Sequence, residues 1–509
     1  MRMMATMHAT VDMALRFWAT DRAEQAAIRV QDVTLDYRTL DDWAGRVAAM
    51  LAERGLGPGE RMAFYGETSI EWCVAAFAAI RCGAIVAPIN SRMVPAEVDY
   101  LLGQYEPRLV FVEPEGAERL ASSAVVAAVP KVHREEIAAL RPGAPSGFAL
   151  EMDPDAPMAI ITTSGSTARP KGVVYTHRTM IEYAWEEYIH NAPDMDGGPA
   201  RLLSTAPLST AGGFNLMVHM IIIGGTIYLL EKFDPAVALA MLVEERINTF
   251  RAAPIFFQRI AELPEFADTD LSFLRVATIG GAAPPPWLQQ AWFDRGVALR
   301  QLYGQTECGG GATINPIRFA KSHPDRCGLG GPFTQIAIVD TDGNVVPPGT
   351  PGQIILRKPG VMIGYWRNPE ATAEALRDGW LYTGDIGEMD ENGLLRMVGR
   401  MKDFIKSGGF NISAAEVESV IMEVAGVDEV AVLAVPDEKF GETPLAIVYG
   451  NDCAVPAILA HCRSQLSRFK LPRYVIISEA PLPRLAMGKI SKPALREIYK
   501  DAPLPEPVR

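Results

Sequence analysis

The feature that most constrains this fold is an early alternation of short apolar runs with segments of helical periodicity. Runs typical of buried strands lie at residues 61–65, 84–89 and 109–112. Apolar residues recur at helical spacing between residues 70 and 80, with Ser69 as the predicted N-cap and Gly83 as the stop, and another predicted helix follows Pro95. A similar alternation resumes from about residue 158 to residue 297. Such alternation predicts parallel sheet with crossover helices, an α/β fold.

Later segments show other patterns. Residues 129–157 are rich in Pro and Ala and are predicted to form a surface connection. After Gly328 short β-type runs with turn signals follow, and Asp342-Gly343 marks a hairpin. A small α+β unit is predicted to start at about Arg400. Its predicted helices and strands lie at residues 413–424, 430–435, 445–449 and 456–469.

Length and charge limit the classes of protein to which the chain can belong. At 509 residues it is too long for one ordinary core. We therefore expect a large N-terminal domain of sheets and helices, residues 1–399, and a small C-terminal domain, residues 400–509. Lys and Arg number 48 against 61 Asp and Glu, a net charge of −13. A chain this acidic is not expected to bind nucleic acid, although a local basic pocket for phosphates is compatible with it.

The cysteines and the apolar segments indicate a cellular location. The six cysteines are scattered without a C-x-x-C pair, which argues against a zinc site or a disulfide framework and is typical of a reducing cytosol. His8 and Asp12 interrupt the N-terminal segment before a long apolar run develops, so it does not resemble a signal peptide. The most apolar stretch, residues 216–230, contains His219 and is predicted to be buried core. A cytoplasmic protein without a transmembrane segment is expected, and its oligomeric state is open, a homodimer included.

The sharpest local motif is TSGSTARPKG at residues 163–172, directly after an apolar strand at residues 159–161. Backbone N–H groups and one Lys just beyond a strand end can hold an anion. A solvated linker is the alternative that such a composition more often means. The spacing excludes a Walker A loop, because Pro170 and Gly172 stand where that loop needs Gly and then Ser or Thr. A phosphate site here would therefore belong to another fold.

Four later motifs offer further candidate groups. YGQTE at 303–307 has an aromatic ring, a tight turn and a carboxylate able to hold Mg²⁺, but alone it is equally a plain turn. YTGD at 382–385 has an acidic side chain for a ribose diol, although Gly-Asp is a common turn pair. Residues 399–409 combine a charged junction with a glycine pair, as an ordinary linker does. Lys489 follows Gly488 in a loop, where most lysines are solvated.

In this order and spacing the motifs resemble those of the adenylate-forming superfamily, which includes acyl-CoA synthetases, aryl-CoA ligases, luciferases and peptide-synthetase adenylation domains. The resemblance covers residues 37–496 and extends to GGAAP at 280–284, GYW at 364–366 and VPD at 435–437. It implies a multi-sheet N-terminal domain with a distorted barrel subdomain and a mobile α+β C-terminal domain hinged at residues 400–403. The implied enzyme is an AMP-forming acid–thiol ligase, which joins a carboxylic acid to coenzyme A through an acyl-adenylate at the expense of ATP.

The resemblance also implies roles for individual residues. The implied contacts to ATP or AMP are Thr163, Ser164, Gly165, Ser166, Thr167, Lys171, Ala282, Ala283, Pro284, Tyr303, Gly304, Asp385 and Arg400. The implied catalytic residues are Lys489, Thr306 and Glu307, of which Glu307 would also bind Mg²⁺. Lys402 is the implied hinge residue, and the implied coenzyme A contacts are Lys406, Gly408 and Gly409. Lys489 would serve adenylation, and a large rotation of the small domain would then admit the thiol.

Two positions depart from the family pattern. Ala168 stands where the family usually has Gly in the phosphate loop, and if that position needs φ > 0 the Ala costs on the order of 1 kcal/mol. Thr210 stands where the family commonly has His or an aromatic residue beside the acyl pocket. With Phe214 and Gly309 it defines the predicted acyl pocket. The glycines at 309–311 indicate either room for a medium to bulky acid or a flexible loop.

Two alternatives to coenzyme A ligation stay open from the sequence. The same adenylate could be delivered to an amine or to a carrier protein in trans. A non-catalytic ligand sensor could retain only the nucleotide site, although the presence of Lys489, Glu307, Asp385 and Arg400 argues against it. The sequence does not identify the acid, because a one-methylene distinction between substrates is worth only about 1–3 kcal/mol.

Overall fold

The structure is a computed structural model. The residues that it describes are 9–120, 123–163, 170–192, 198–281, 284–407, 410–437, 439–485, 488–500, 502 and 504–507.

The strands, in chain order, are β1 (Ala26–Val30), β2 (Val33–Asp36), β3 (Arg61–Tyr65), β4 (Ile85–Ile89), β5 (Leu109–Val112), β6 (Lys131–His133), β7 (Pro157–Thr163), β8 (Lys171–Thr176), β9 (Arg201–Ser204), β10 (Thr226–Leu229), β11 (Thr249–Ala252), β12 (Val276–Gly280), β13 (Leu299–Tyr303), β14 (Thr313–Ile314), β15 (Leu329–Gly330), β16 (Gln335–Val339), β17 (Gly352–Arg357), β18 (Gly364–Tyr365), β19 (Leu376–Arg377), β20 (Trp380–Met389), β21 (Leu395–Arg400), β22 (Phe404–Ser407), β23 (Phe410–Ser413), β24 (Val427–Asp437), β25 (Gly441–Gly450) and β26 (Tyr474–Ile477).

The α-helices are α1 (Val11–Asp21), α2 (Tyr37–Glu53), α3 (Ile70–Arg81), α4 (Pro95–Tyr105), α5 (Pro114–Arg119), α6 (Ala124–Ala128), α7 (Arg134–Ala139), α8 (His177–Asn191), α9 (Leu216–Ile222), α10 (Pro235–Glu244), α11 (Pro254–Ala261), α12 (Pro286–Phe293), α13 (Ile317–Ala320), α14 (Pro369–Ala375), α15 (Ala414–Ile421), α16 (Val455–Gln465) and α17 (Lys492–Tyr499). A π-helical turn, Ala211–Asn215, precedes α9, and 3₁₀ turns lie at Thr306–Cys308 and Met401–Asp403.

The chain divides into two compact units. The first consists of Met1–Pro324, Leu329–Gln335 and Leu356–Leu381, and the second of Asp325–Gly328, Ile336–Ile355 and Tyr382–Arg509.

The first unit contains two large sheets. One has the strand order β15-β14-β13-β12-β11-β9-β10-β1-β2 and is parallel from β13 to β1, with antiparallel strands at its edges. The other has the order β18-β8-β7-β4-β3-β5-β6 and is parallel from β7 to β6. A buried apolar cluster joins β11, β12 and β13 to helices α10, α11 and α12. Since parallel strands carry helices on their faces, the predicted α/β class is confirmed.

The second unit has its own sheets and core. β24 pairs antiparallel with β25, β26 adds to β25 in parallel, and buried residues from α15 and α16 cover one face of this sheet. In a separate sheet β20 pairs with both β17 and β21. The antiparallel pairing of β20 with β21 places Asp385 opposite Arg400. The division of the protein at residues 399 and 400 stays a prediction.

Elements with strong local signals lie where the sequence predicts them. β3 spans Arg61–Tyr65, and α3 begins after Ser69, whose hydroxyl accepts the Trp72 N–H at 3.3 Å. Gly83 has φ of 71°, a conformation that favours glycine, and it follows the end of that helix. The turn at Asp342-Gly343 is confirmed, since Val339 and Val345 pair antiparallel across it.

The expected surface connection at residues 129–157 is wrong in part. Lys131–His133 forms β6, which pairs in parallel with β5, and Arg134–Ala139 forms α7. Val132 and Ile137 are buried there. A three-residue strand has no periodicity of its own, so only its non-local pairing with β5 defines it.

Candidate active site

The predicted phosphate loop joins two antiparallel strands of the first unit. Thr163 ends β7, Lys171 begins β8, and the two residues pair directly across the hairpin. The predicted contacts Ser164, Gly165, Ser166 and Thr167, and the departure at Ala168, lie outside the described residues. The structure therefore gives the two ends of this loop and the position of its lysine.

A chain of side chains connects that lysine to the predicted magnesium ligand. The Lys171 ammonium lies 4.9 Å from the centre of the Tyr365 ring, within the range of a cation–π contact. The Tyr365 hydroxyl donates to Glu307 Oε1 at 2.8 Å. Burial, and then the Glu307 charge, raise the pKa of Tyr365, so it stays a neutral phenol that can donate. Tyr365 was not predicted as a site residue, although GYW at 364–366 contributed to the family resemblance.

The turn that presents Thr306 and Glu307 is held by groups from other elements. The Tyr175 hydroxyl donates to the Thr306 carbonyl oxygen, and the Glu307 carbonyl oxygen accepts the Met362 N–H at 2.9 Å. The Lys358 ammonium donates to the Cys308 carbonyl oxygen at 3.2 Å. Burial lowers the pKa of Lys358. These contacts position the predicted catalytic residues without using their side chains.

The glycines beside this turn are required by close packing. A Cβ atom on Gly304 would lie 1.9 Å from the Gly310 carbonyl oxygen, and one on Gly309 would lie 2.8 Å from the Tyr183 ring. Gly309 and Gly310 also have φ of 90° and 127°. The sequence offered a roomy pocket or a flexible loop as the reason for these glycines. The structure adds a third reason, the close approach of backbone to backbone and to Tyr183.

The predicted adenine contacts lie at the carboxyl ends of two adjacent parallel strands. Gly280 at the end of β12 pairs with Leu302, and Tyr303, which is buried, ends β13. Pro284 is buried, while Ala282 and Ala283 lie outside the described residues. Ligands of open α/β sheets bind at such strand ends, as expected for a nucleotide.

The predicted acyl-pocket residues lie around the π-helical turn Ala211–Asn215. The Thr210 hydroxyl donates to the Pro207 carbonyl oxygen at 2.8 Å. The Phe214 ring is buried, with its centre 6.2 Å from that of Trp72. Asn215, which the sequence did not single out, donates to the Gly309 carbonyl oxygen at 2.9 Å. This bond brings the turn that follows Thr210 to Gly309.

The second unit holds the predicted ribose contacts. Arg400 Nε lies 3.2 Å from Asp385 Oδ1, and the Asp385 side chain is buried while that of Arg400 is exposed. Lys489 lies in a tight turn after Gly488, whose φ is 80°. The Leu485 N–H donates to the Lys489 carbonyl oxygen at 2.7 Å across this turn. The Lys489 side chain is accessible to solvent, yet desolvation and then the Arg400 charge lower its pKa, while Asp385 opposes the shift.

The predicted hinge and coenzyme A contacts also belong to the second unit. Lys402 lies in the 3₁₀ turn Met401–Asp403. Lys406 is exposed on β22, and its backbone N–H donates to Glu442 at 2.8 Å. Gly408 and Gly409 lie outside the described residues.

Two features are absent from the described residues. No group of three or more His, Cys, Asp or Glu residues there could hold a metal ion together. In the same part of the chain, no helix combines the length and the apolar composition needed to cross a membrane.

Comparison with known proteins places the chain in a family. A family model described as AMP-binding enzyme matches residues 15–366, and one described as AMP-binding enzyme C-terminal domain matches residues 416–489. The long-chain-fatty-acid–CoA ligase FadD13 of Mycobacterium tuberculosis is 34% identical over 478 residues, 92% of this chain and 94% of the relative. The feruloyl-CoA synthase of an Amycolatopsis species is 33% identical over 492 residues, 95% of this chain and 98% of the relative.

A solved structure agrees. ATP-bound MatB from Rhodopseudomonas palustris superposes with a TM-score of 0.86 and 30% identity, over 97% of this chain and 99% of that one. The chain therefore belongs to the AMP-binding enzyme family, in the acyl-CoA synthetase branch of the adenylate-forming superfamily. The family resemblance drawn from the sequence motifs is confirmed.

Proposed function

We propose that this protein is an AMP-forming carboxylic acid:CoA ligase. In the first step a carboxylate oxygen attacks the α-phosphorus of ATP, and pyrophosphate leaves. In the second step the coenzyme A thiol attacks the acyl carbon of the adenylate, its proton passes to solvent, and AMP leaves. The observation that most supports this is the line of contacts from Lys171 through Tyr365 to Glu307, which starts at the end of the predicted phosphate loop.

The first half-reaction brings two anions together, so it needs cationic screening. Lys171, Thr163 and the loop between them would hold the β- and γ-phosphates. Glu307 would bind Mg²⁺, which screens phosphate charge when bound. A single carboxylate fits this ion, because Mg²⁺ keeps several waters and is usually held by one or two carboxylates together with substrate phosphates.

The remaining nucleotide contacts follow the family positions. Tyr303, Gly304 and Pro284, with Ala282 and Ala283, would form the adenine slot, and Thr306 would meet the α-phosphate. Asp385 would accept hydrogen bonds from the ribose hydroxyls, and Arg400, 3.2 Å away, would orient it. Lys489 would stabilise the charge that develops at the bridging oxygen during adenylation.

Thioester formation requires Lys489 to leave so that the thiol can approach. We propose that residues 400–509 rotate as a body at Lys402, and that Lys406, Gly408 and Gly409 then contact coenzyme A. The position of Lys402 in a short turn between β21 and β22 supports a hinge there. Delivery of the acyl group to an amine or to a carrier protein is the competing outcome.

The acid is proposed to be medium to bulky in size. Thr210 is smaller than the ring usual at its position, and close-packed interiors seldom leave such volume empty. An apolar acid that filled it would gain about 25 cal/mol for each Å² buried. Phe214, whose ring packs on Trp72, and Gly309, which Asn215 holds, would form the other walls.

The test is acid-dependent exchange of ³²P-pyrophosphate into ATP, followed by AMP release with and without coenzyme A. The panel spans acetate, straight chains of increasing length, branched acids and aryl acids. We expect exchange with medium to bulky acids and coenzyme A-dependent AMP release. If pyrophosphate exchange occurs without thioester formation, and the acyl group instead appears on an amine or a carrier protein, the acceptor is not coenzyme A. If no acid supports exchange, the proposal is contradicted.

A cytosolic location is proposed with it. The six cysteines are free, and five of them are buried. Isolated thiols of this kind are typical of reducing compartments.

A further inference from the structure

Two neighbouring helices of the first unit, α1 and α8, have adjoining outer faces. Both helices contact α9 and each other. α1 begins against α8, since the Val11 N–H donates to His177 Nδ1 at 3.3 Å. Farther along, the Trp18 indole N–H donates to the last carbonyl oxygen of α9 at 3.1 Å, and Tyr188 lines a small cavity together with Ile223, the next residue. The two helices therefore lie side by side across α9, and their outer faces form one surface.

This surface carries large apolar side chains that are open to solvent. On α1, Met13 and Phe17 lie four residues apart and are each 58% exposed. On α8, Trp185, Tyr188 and Ile189 lie at helical spacing and are 53%, 43% and 41% exposed. The Trp185 and Tyr188 rings contact each other edge to face, with their centres 6.4 Å apart. These five side chains define the α1–α8 face.

The apolar area of the α1–α8 face is close to what a dimer buries. Its five side chains are roughly half exposed, and since side chains of this size bury about 150–250 Å² each, they leave about 500 Å² of apolar surface in water. Soluble monomers rarely expose a contiguous apolar patch larger than a few hundred Å². A standard interface buries about 800 Å² on each partner, of which somewhat more than half is apolar. The face therefore has the apolar area of one side of an ordinary interface.

Two charges of opposite sign flank the apolar side chains. Arg16 is exposed on α1 next to Phe17, and Glu182 is exposed on α8, one turn before Trp185. Within the described part of the chain, neither side chain forms an ion pair. In a two-fold dimer, a contact between two different residues of the two copies occurs twice. Arg16 of each copy can then pair with Glu182 of the other copy, so the α1–α8 face is complementary to itself.

We propose that the α1–α8 face binds the same face of a second copy of this chain, and that the protein is a two-fold homodimer. In this arrangement α1 of each copy packs on α8 of the other, which brings Phe17 against Trp185 and places the Arg16–Glu182 pairs at the edge. A lipid surface is the less favoured occupant, because Glu182 and the net charge of −13 would be repelled by anionic headgroups. The inference does not depend on the proposed ligase function, since the face contains no predicted site residue.

Sedimentation velocity of the full-length protein across the micromolar range tests the dimer. We expect the wild type to sediment with twice the mass of one chain. Phe17→Glu and Trp185→Glu each bury an unpaired charge in the interface and should raise the dissociation constant at least tenfold. Trp287→Glu is the matched control, because Trp287 is 49% exposed on α12 of the same unit, and it should leave the dimer unchanged. Thermal melts check that each variant folds, and if one of the two interface variants does not, the other decides.

A charge swap tests the arrangement of the two copies. Arg16→Glu and Glu182→Arg should each weaken the dimer about tenfold, because two pairs of like charges then face each other. The double variant restores opposite charges and should restore the wild-type dissociation constant. A double variant that dimerises no better than the single ones would overturn the proposed pairing of α1 with α8.

Three further outcomes would overturn the inference as a whole. The first is a wild type that sediments as a monomer at every concentration. The second is a dimer that both Phe17→Glu and Trp185→Glu leave intact, because another surface would then form it. The third is a monomer that floats with phosphatidylcholine–phosphatidylglycerol vesicles and loses this binding in Trp185→Glu, which would assign the α1–α8 face to a lipid surface.

Discussion

Lys358 in the first unit and Lys489 in the second both have a pKa lowered first by desolvation, but their surroundings differ. Lys358 is buried and donates to the carbonyl oxygens of Cys308 at 3.2 Å and Pro359 at 2.8 Å. The ammonium group of Lys489 forms no hydrogen bond or ion pair with the described residues, and its side chain is accessible.

The difference separates a structural lysine from one available to a substrate. The donors of Lys358 serve backbone carbonyls beside the turn that presents Glu307, so its removal leaves buried acceptors without partners. Among the described residues of its own unit, no acceptor uses the donors of Lys489 in this way. A lowered pKa in both lysines therefore does not mean equal roles, and substitution by a side chain of similar length can tell the two apart.

The largest effect is expected for Lys489→Met. The Lys489 ammonium is proposed to stabilise negative charge that develops in the transition state. Its loss should therefore lower acid-dependent pyrophosphate exchange by about 10²- to 10³-fold. The melting temperature should stay unchanged, and thioester formation from pre-made acyl-adenylate should be largely retained. If both half-reactions, measured separately, fall by similar factors, Lys489 is not specific to adenylation.

The dependence of stability on pH tests whether a buried histidine of the first unit, His177, lowers the free energy of unfolding in acid. His177 is buried, and its Nδ1 accepts the Val11 N–H at 3.3 Å. Burial lowers its pKa to about 4 from an unfolded value near 6.5. As the pH falls, the unfolded state therefore takes up the proton before the folded state does. The free energy of unfolding is highest above pH 6.5 and decreases as the pH falls towards 4, by up to about 3 kcal/mol.

His177→Asn, which keeps an acceptor near the Nδ1 position, should reduce the fall in melting temperature between pH 7 and pH 5. The partly exposed His461→Asn is the control and should leave that fall unchanged. An identical pH dependence in wild type and His177→Asn would show that other groups cause the acid sensitivity.

Lys358→Met should lower the free energy of unfolding, whereas Lys489→Met should leave it unchanged. The buried Cys308 carbonyl oxygen and the part-buried Pro359 carbonyl oxygen lose their donor. We therefore expect a loss of about 1–3 kcal/mol in the free energy of unfolding, measured by denaturant titration. Equal unfolding midpoints for the two variants would remove the distinction between the lysines.

The part of this molecule that the sequence could predict depends on local signals. Ser69, Gly83 and the Asp342-Gly343 turn carry their own capping or turn chemistry, and the elements around them were predicted correctly. β6 and α7 were missed because β6 is defined by its pairing with β5. The bonds from Tyr365 to Glu307 and from Asn215 to Gly309 span 58 and 94 residues. No local pattern encodes such contacts, so the roles of Tyr365 and Asn215 needed the folded chain.

Tyr365→Phe should have the smallest effect, because it removes one hydrogen bond and keeps the ring. The phenyl ring still faces the Lys171 ammonium, which lies 4.9 Å from the ring centre in the wild type, but Glu307 Oε1 loses its 2.8 Å donor. Glu307 then samples more orientations, and since it is proposed to meet the metal–phosphate group, the KM for ATP should rise about three- to tenfold. Tyr365→Leu removes ring and hydroxyl together, so the further rise over Tyr365→Phe measures the cation–π contact, expected at about 0.5–2 kcal/mol. If both variants instead lose stability with an unchanged KM for ATP, Tyr365 supports the fold as Lys358 does. The contacts from Lys171 through Tyr365 to Glu307 would then not belong to the nucleotide site.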